Sequence, residues 1–370
     1  MVEETGGCKR PLLRIGTHSG SFHCDEALGC YLLRKTPAYS NAEIVRSRNP
    51  DVLRDLDVVI DVGGVYDPAV KPGGTKPATL TLILADLNTS ATLSPFLLPP
   101  VLSATHRYDH HQREFQEVFG HGFSTRLSSA GLVYKHFGRG IVAAYLNEPE
   151  ESAQVEAVWL AVYRTFMEAI DAVDNGVNQW DGDAPPKYVN DTHLSARVGR
   201  LNPDWNAADQ SEAELYRRFL QAVELAGSEF DGALRRTAQI WLPARQLVLA
   251  DLSSRKDVDP SGAVVALSTF CPWKEHLHQL EQELGCPGEV LYVLYQDERE
   301  GSWRVQAVGQ APGSFASRKA LPAPWRGLRD EALSEAAGVP DLVFVHASGF
   351  IGGGKTKEAA LALARKAVAA

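Results

Sequence analysis

The sequence predicts an α/β protein of two domains, and three observations carry that prediction. Its 370 residues exceed what one hydrophobic core usually holds. Short apolar runs rich in β-branched residues alternate with stretches of helical period. Histidine and aspartate recur where those runs stop, and in open α/β sheets ligands bind outside the carboxyl ends of the strands. The expected division is a first domain over residues 11–205, a helical connector over 206–240 and a second α/β domain over 241–370.

Each element of the first domain follows from its pattern. Leu12 to Thr17 reads as a short buried strand ending in His18-Ser19-Gly20-Ser21. Asp25 to Leu33 reads as a helix, with Ala27, Leu28, Tyr31 and Leu32 as its apolar stripe. His18, His23 and Asp25 thus fall in one strand-to-helix loop, a spacing that suits metal ligands, although Asp25 alone could be a helix cap. Glu43 to Ser47 is the second strand. Asp57 to Val62 is the third, and its Val58-Val59-Ile60 run suits burial on both faces. It ends in Asp61 before two glycines, where a buried carboxylate needs a partner or a cation.

Asp67 to Thr105 differs in kind, being poor in charge and rich in Pro, Thr and Leu; residues 69–105 are expected to be an insertion. Tyr108-Asp109-His110-His111-Gln112 follows. An acid beside two imidazoles supplies hard oxygen and borderline nitrogen donors, which suit manganese, iron or zinc. Ser128 to Phe137 is expected to be a short helix capped by Ser128 or Ser129. Glu156 to Asp174 is a stronger one, with Tyr163, Met167, Asp171 and Asp174 on one stripe. Acids on an apolar stripe want a partner, so one of Asp171 and Asp174 is a candidate ligand.

In the second domain Gln246–Asp251, Val264–Ser268, Val290–Tyr295, Trp303–Val308 and Leu342–His346 read as strands. Pro272–Leu284, Gly327–Ala336 and Thr356–Ala369 read as helices. Residues 347–354 read as a glycine-rich turn. With Lys355 at a helix start, such a turn can hold a phosphate on backbone N–H groups, or its glycines can serve helix–strand packing.

Composition narrows the function. A net charge of −9 argues against a surface built for tight non-specific duplex binding, which needs clustered Lys and Arg. Five scattered cysteines without a Cys-x-x-Cys pair suggest reduced thiols. The most apolar run, Ala78 to Leu102, is broken by Asp86, Asn88, Pro95, Pro99 and Pro100 and is a poor membrane span. No membrane partner is expected. The N-terminus lacks the pattern of a secretory or transit peptide, so an intracellular, cytoplasmic or nuclear, location is expected for this form.

Several stretches together carry a resemblance. They are Thr17-His18-Ser19-Gly20 with Phe22-His23-Cys24-Asp25-Glu26, Asp61-Val62-Gly63-Gly64, Arg107 to Gln112, and Leu127-Ser128-Ser129-Ala130-Gly131. Three more follow in order: Asp171 to Gly176, Pro324 to Asp330, and Val345-His346-Ala347-Ser348-Gly349-Phe350. Over nearly its whole length the chain resembles the melanocyte-proliferating-gene exonuclease family, within the DHH phosphoesterase superfamily of RecJ nucleases and family II pyrophosphatases. The resemblance implies a parallel-sheet catalytic domain joined across a cleft to a smaller substrate-binding α/β domain. It implies two divalent ions, manganese or similar, and cleavage of phosphodiester bonds, with single-stranded RNA as substrate and a nuclear and mitochondrial location.

By that resemblance His18, His23 and Asp61 would hold one ion. Asp25, Asp61, His110 and Asp174 would hold the other, Asp174 being preferred to Asp171. His111 would meet the substrate phosphate, with Asp109 orienting an imidazole. Ser129, Arg326, His346, Gly352, Gly353 and Lys355 are the expected substrate-binding residues. The superfamily usually has Asp, one residue closer to the first His, where His23 stands here. The rival readings are a small-molecule phosphohydrolase with the same metal site, and a metal-stabilised scaffold without turnover.

Overall fold

The computed structural model describes residues 12–67, 106–180, 182, 185 and 187–370. The expected insertion at 69–105 lies outside the described residues. The chain divides into two compact units, one up to Arg235 and one from Arg236.

The first unit begins with strand β1 (Arg14–Thr17), helix α1 (Cys24–Arg34), β2 (Glu43–Arg46), the short α2 (Pro50–Arg54), β3 (Val58–Ile60) and β4 (His106–Tyr108). The four strands form a sheet in the order β2-β1-β3-β4, with every pairing parallel. Parallel strands end on the same edge, so the residues after β1, β3 and β4 meet there. Val58, Val59 and Ile60 are all buried, as their β-branched run predicts for a strand covered on both faces. The strand at His106–Tyr108 carries no such run. Its conformation is set by pairing with β3, Val58 opposite His106 and Ile60 opposite Tyr108.

A hairpin of β5 (Val118–Gly120) and β6 (Phe123–Arg126) precedes α3 (Ser129–Leu146). The expected helix from Ser128 thus runs nine residues beyond Phe137, to Leu146. Gly138 within it allows a close approach, since a Cβ there would come within 2.8 Å of the Tyr134 ring. Ser128 is the cap, its side chain accepting from Gly131 N–H. The helix expected over 156–174 is α4 (Ala153–Val162), a π-helical turn over Tyr163–Met167, and α5 (Glu168–Asp174). Helices α6 (Leu194–Gly199) and α7 (Glu212–Arg236) follow.

In the second unit the run expected as a strand at Gln246–Asp251 lies inside helix α8 (Leu242–Ser253). Its buried residues Ala244, Val248 and Leu252 recur every fourth position, a helical period that a six-residue window hid. The short α9 (Arg255–Val258), β7 (Val264–Ala266), α10 (Leu277–Glu283), β8 (Tyr292–Gln296), β9 (Trp303–Ala307), α11 (Asp330–Ala337), β10 (Leu342–Val345), β11 (Ile351–Gly354) and α12 (Lys357–Ala369) complete the chain. The sheet order is β10-β11-β9-β8-β7, antiparallel except for β7 with β8.

Strand β11 corrects the expected phosphate-holding turn. Gly352 and Gly353 pair with Val345 and Phe344 on one side and with Val305 and Arg304 on the other. Their backbone groups are thereby committed to sheet ladders. The glycines serve close packing instead: a Cβ on Gly353 would lie 2.9 Å from the Trp303 carbonyl oxygen, and one on Gly354 2.9 Å from Ala359 of α12. Among the described residues no helix is long and apolar enough to cross a membrane.

A candidate metal centre

The carboxyl edge of the parallel sheet gathers most of the expected ligands. His18 follows β1, Asp61 follows β3 and His110 stands two residues after β4. Asp25 lies in the first turn of α1, and Asp174 ends α5. Three groups of donors form, and inside each the donor atoms lie within 4.8 Å of one another. They are His18, His23, Glu26 and Asp61; Asp61, His110 and His111; and Asp25, His110 and Asp174.

Asp61 is the hinge between the first two groups. Its Oδ2 lies 3.4 Å from His18 Nε2, while its Oδ1 lies 3.6 Å from His110 Nε2 and 3.2 Å from His111 Nδ1. The backbone at Asp61 is left-handed, with φ 53°, and Gly63 and Gly64 follow at φ 97° and 66°. Asp tolerates that region better than most residues, and glycine adopts it without strain. The turn brings Gly64 N–H to Asp109 Oδ2 at 2.5 Å.

Asp109 is buried and works through its neighbour. Its Oδ1 accepts from His111 N–H at 3.0 Å and lies 2.9 Å from His111 Nδ1. The His111 ring is 63% exposed, and with Nδ1 taken by carboxylates its Nε2 is the nitrogen left over. Asp25 faces the start of α3, accepting from Ser129 N–H at 3.0 Å and Ala130 N–H at 2.5 Å. There the helix N-terminus favours negative charge. Ser129 is fully buried, its Oγ 3.3 Å from Asp61 Oδ1. It therefore braces the carboxylates and is absent from the cleft lining.

The two candidate acids of α5 separate cleanly. Asp174 Oδ2 lies 3.1 Å from His110 Nε2. Asp171 joins none of the donor groups. It is fully buried, and it accepts from Ser128 N–H at 3.0 Å, Ser128 Oγ at 2.8 Å and Tyr163 Oη at 2.8 Å. Those three bonds tie α5 to the start of α3 and to the π-helical turn, which is a structural role.

Glu26 was not among the expected ligands. It is fully buried, 2.9 Å from His18 Nε2. Its carboxylate also accepts the His23 backbone N–H, at 2.9 and 3.0 Å. That is one half of a capping box. The spacing His23-x-x-Glu26 at a helix start was the signal available in the sequence.

The charges at this edge do not balance. Burial raises the Asp25 carboxyl well above the ordinary range, and the nearby Asp174 and Asp61 charges raise it further. Burial likewise raises Asp174, and it lifts Asp171 to about 7. For Asp61 burial acts in the same direction but is outweighed. The neighbouring imidazoles of His110, His111 and His18 hold its carboxyl well below the usual range. Burial would lower the His18 imidazole, yet its bonds to Asp61 and Glu26 lift it to about 9. The hydrogen bond to Asp61 lifts His111 to about 9, against the effect of its burial. His110 Nε2 is buried and close to two carboxylates, yet it makes no aligned hydrogen bond. An orphaned imidazole nitrogen beside mutually repelling carboxylates is a donor set short of a cation, and mixed His and Asp donors suit a divalent transition ion. The residues present fit such a metal.

His18, His23, Asp25, Asp61, Asp109, His111 and Asp174 line a cleft of about 540 Å³ within the first unit. The other expected substrate-binding residues belong to the second unit. Arg326 donates through Nε to the Leu321 carbonyl at 2.8 Å. The exposed His346 lies 3.0 Å from Ser348 Oγ and packs on Phe350. Lys355 lies 3.7 Å from Asp341.

A model of an uncharacterised protein family (UPF0160), the MYG1 exonuclease family, matches residues 14–72 and 103–368. The chain is 46% identical over 362 residues to the MYG1 exonuclease of Homo sapiens, covering 96% of this chain and 86% of that protein. It is 40% identical over 361 residues to a MYG1 protein of Saccharomyces cerevisiae, covering 96% of each. It is also 40% identical over 354 residues to the MYG1 protein of Dictyostelium discoideum, again covering 96% of each. A solved structure of exonuclease RecJ bound to manganese aligns over 96% of this chain and 89% of that one. At a TM-score of 0.24 and 15% identity it carries no argument. The family match spans both units and leaves residues 73–102 unmatched, inside the expected insertion. On that match and those identities, the chain belongs to the MYG1 exonuclease family.

Proposed function

We propose that this chain is a divalent-metal-dependent phosphodiesterase, a 3′–5′ exonuclease acting on single-stranded RNA with two ions, of which manganese is the expected kind. The observation that carries this reading is the position of Asp61, whose two oxygens face separate donor groups. The name exonuclease, carried by the human, mouse, rat and bovine relatives, supports the choice of reaction. His18, His23, Glu26 and Asp61 would hold one ion; Asp25, Asp61, His110 and Asp174 would hold the other. Bound there, such ions supply Lewis acidity to a phosphoryl oxygen and lower the pKa of a water.

The chain's own residues do the rest. Asp109 fixes the His111 ring through Nδ1 and the backbone N–H, so that Nε2 can donate to a phosphate oxygen as negative charge grows on it. The pair Asp61 and Asp109 keeps that ring protonated to about pH 9. Ser129 and the start of α3 hold Asp61 and Asp25 in place.

The test is purified protein with manganese on single-stranded RNA and DNA, each labelled at either end. Stepwise shortening of RNA from its 3′ end, abolished by chelation, is expected. Hydrolysis of pyrophosphate or dinucleotides with longer chains untouched would establish a small-molecule phosphohydrolase instead. Bound metal without any hydrolysis would establish a scaffold.

A further inference from the structure

We infer that Arg48 forms a phosphate subsite at the mouth of the cleft, holding the phosphate next to the scissile one. This inference rests on the phosphodiesterase reading above. Arg48 is the one Lys or Arg among the described residues lining the cleft, where Asp25, Asp61, Asp109 and Asp174 supply four carboxylates. Such a wall repels a polyanion except at bound cations, at the raised imidazoles beside Asp61 and at this guanidinium.

Two arginines, two residues apart, reach the same loop and are used differently. Arg46 donates to the Gly20 carbonyl at 2.8 Å, and its guanidinium lies 5.5 Å from the Phe22 ring and 4.5 Å from the Phe219 ring. It is pinned, and it holds the loop that carries His18 and His23. Arg48 is exposed and donates through Nε to the Ser19 carbonyl at 3.1 Å. Among the described residues it makes no ion pair and no other hydrogen bond, so both Nη groups are uncommitted. A guanidinium steadied at Nε presents its Nη donors as a fork, the geometry that suits phosphate oxygens.

Its place in the sheet separates it from the reacting phosphate. Arg48 follows β2, while Asp61 follows β3, and β1 lies between them. Two strand spacings set their roots roughly 10 Å apart. The carboxylates that would hold the ions cluster around Asp61, so Arg48 meets a neighbouring phosphate. The cleft should then favour substrates with at least two phosphates.

The experiment compares a single phosphodiester, thymidine 5′-monophosphate p-nitrophenyl ester, with a short single-stranded oligonucleotide. For Arg48→Ala, KM for the oligonucleotide should rise roughly 10- to 100-fold, as for a lost charged hydrogen-bonded contact. Its kcat, its bound manganese and its turnover of the p-nitrophenyl ester should stay near wild type. The slope of log affinity against log salt for the oligonucleotide should fall by about 0.7, one phosphate contact on a single strand. Arg48→Lys should recover the salt slope and part of KM. Equal losses on both substrates would place Arg48 on the scissile phosphate and overturn the subsite; so would an unchanged KM and salt slope. If the wild type hydrolyses neither substrate, the phosphodiesterase reading fails on its own, and the salt slope of oligonucleotide binding still decides the subsite.

Discussion

The edge beyond β1, β3 and β4 and the strand Ile351–Gly354 use their polar groups in opposite ways. At the first, His110 Nε2 is buried without an aligned partner, and burial and mutual repulsion raise the Asp25 and Asp174 carboxyls. At the second, three successive glycines pair on both sides in antiparallel ladders. One region holds more donors and acceptors than its fold consumes; the other holds none to spare. That surplus marks the first as a place for a ligand, whereas the glycines of the second answer to packing.

The sharpest way to break this contrast is Asp61→Asn. Asn accepts the left-handed backbone at this position about as well as Asp, so the fold should survive while the charge facing both donor groups is lost. We expect loss of at least one equivalent of bound manganese by elemental analysis, and RNA hydrolysis reduced at least ~10³-fold, more than for a lost oxyanion donor. Full activity in this variant would refute the dinuclear assignment. His111→Ala should keep both ions and lose about 10²–10³-fold in kcat, the scale of a missing transition-state donor. Metal loss here, with none in Asp61→Asn, would exchange their roles.

Proton competition comes next in size. The His18 imidazole, lifted to about 9, must shed its proton to bind a cation. Manganese affinity should therefore weaken about tenfold for each pH unit below 9 and level off above it. Isothermal titration in buffers of differing ionisation enthalpy would show proton release on binding. In metal-stripped protein the sign reverses. A raised imidazole stabilises the fold fully below pH 6.5, and this contribution is lost as pH rises through about 9.

Smaller effects should sharpen the other side of the contrast. Gly353→Ala places a methyl group 2.9 Å from the Trp303 carbonyl. It should cost about 1–3 kcal/mol of stability, the usual range for overpacking, and leave bound manganese unchanged. Thermal denaturation alongside metal analysis checks both. Asp171→Asn should likewise leave metal content unchanged, and Asp174→Asn should lower it. The reverse pattern would show that Asp171 is the ligand.

Much of this edge was legible because its chemistry was local. Val58-Val59-Ile60 announced a buried strand, and a carboxylate before two glycines announced its end. His106–Tyr108 was not legible as a strand, since a His-Arg-Tyr triplet has no apolar pattern and takes its conformation from β3. Helical stepping placed Asp171 and Asp174 on one stripe but could not tell them apart. The difference lies in Ser128, which reaches Asp171 through tertiary packing, and in Tyr163, which reaches it from the π-helical turn before α5. Glu26 was missed because it looks like an ordinary first-turn acid; its second contact, His18, comes from the preceding strand end. The glycines of β11 misled because their backbones pair with strands distant in sequence.

The donors of the centre run from position 18 to position 174 and arrive on several elements. Parallel strands cannot pair through tight turns, so each crossover must be closed before the next donor arrives. The second set, Asp25, Asp61, His110 and Asp174, is complete only once the chain has reached position 174. A cation that meets its ligands only after the sheet has closed cannot serve as a template for the chain. It acts as a latch instead, slowing escape from the native state without hastening arrival.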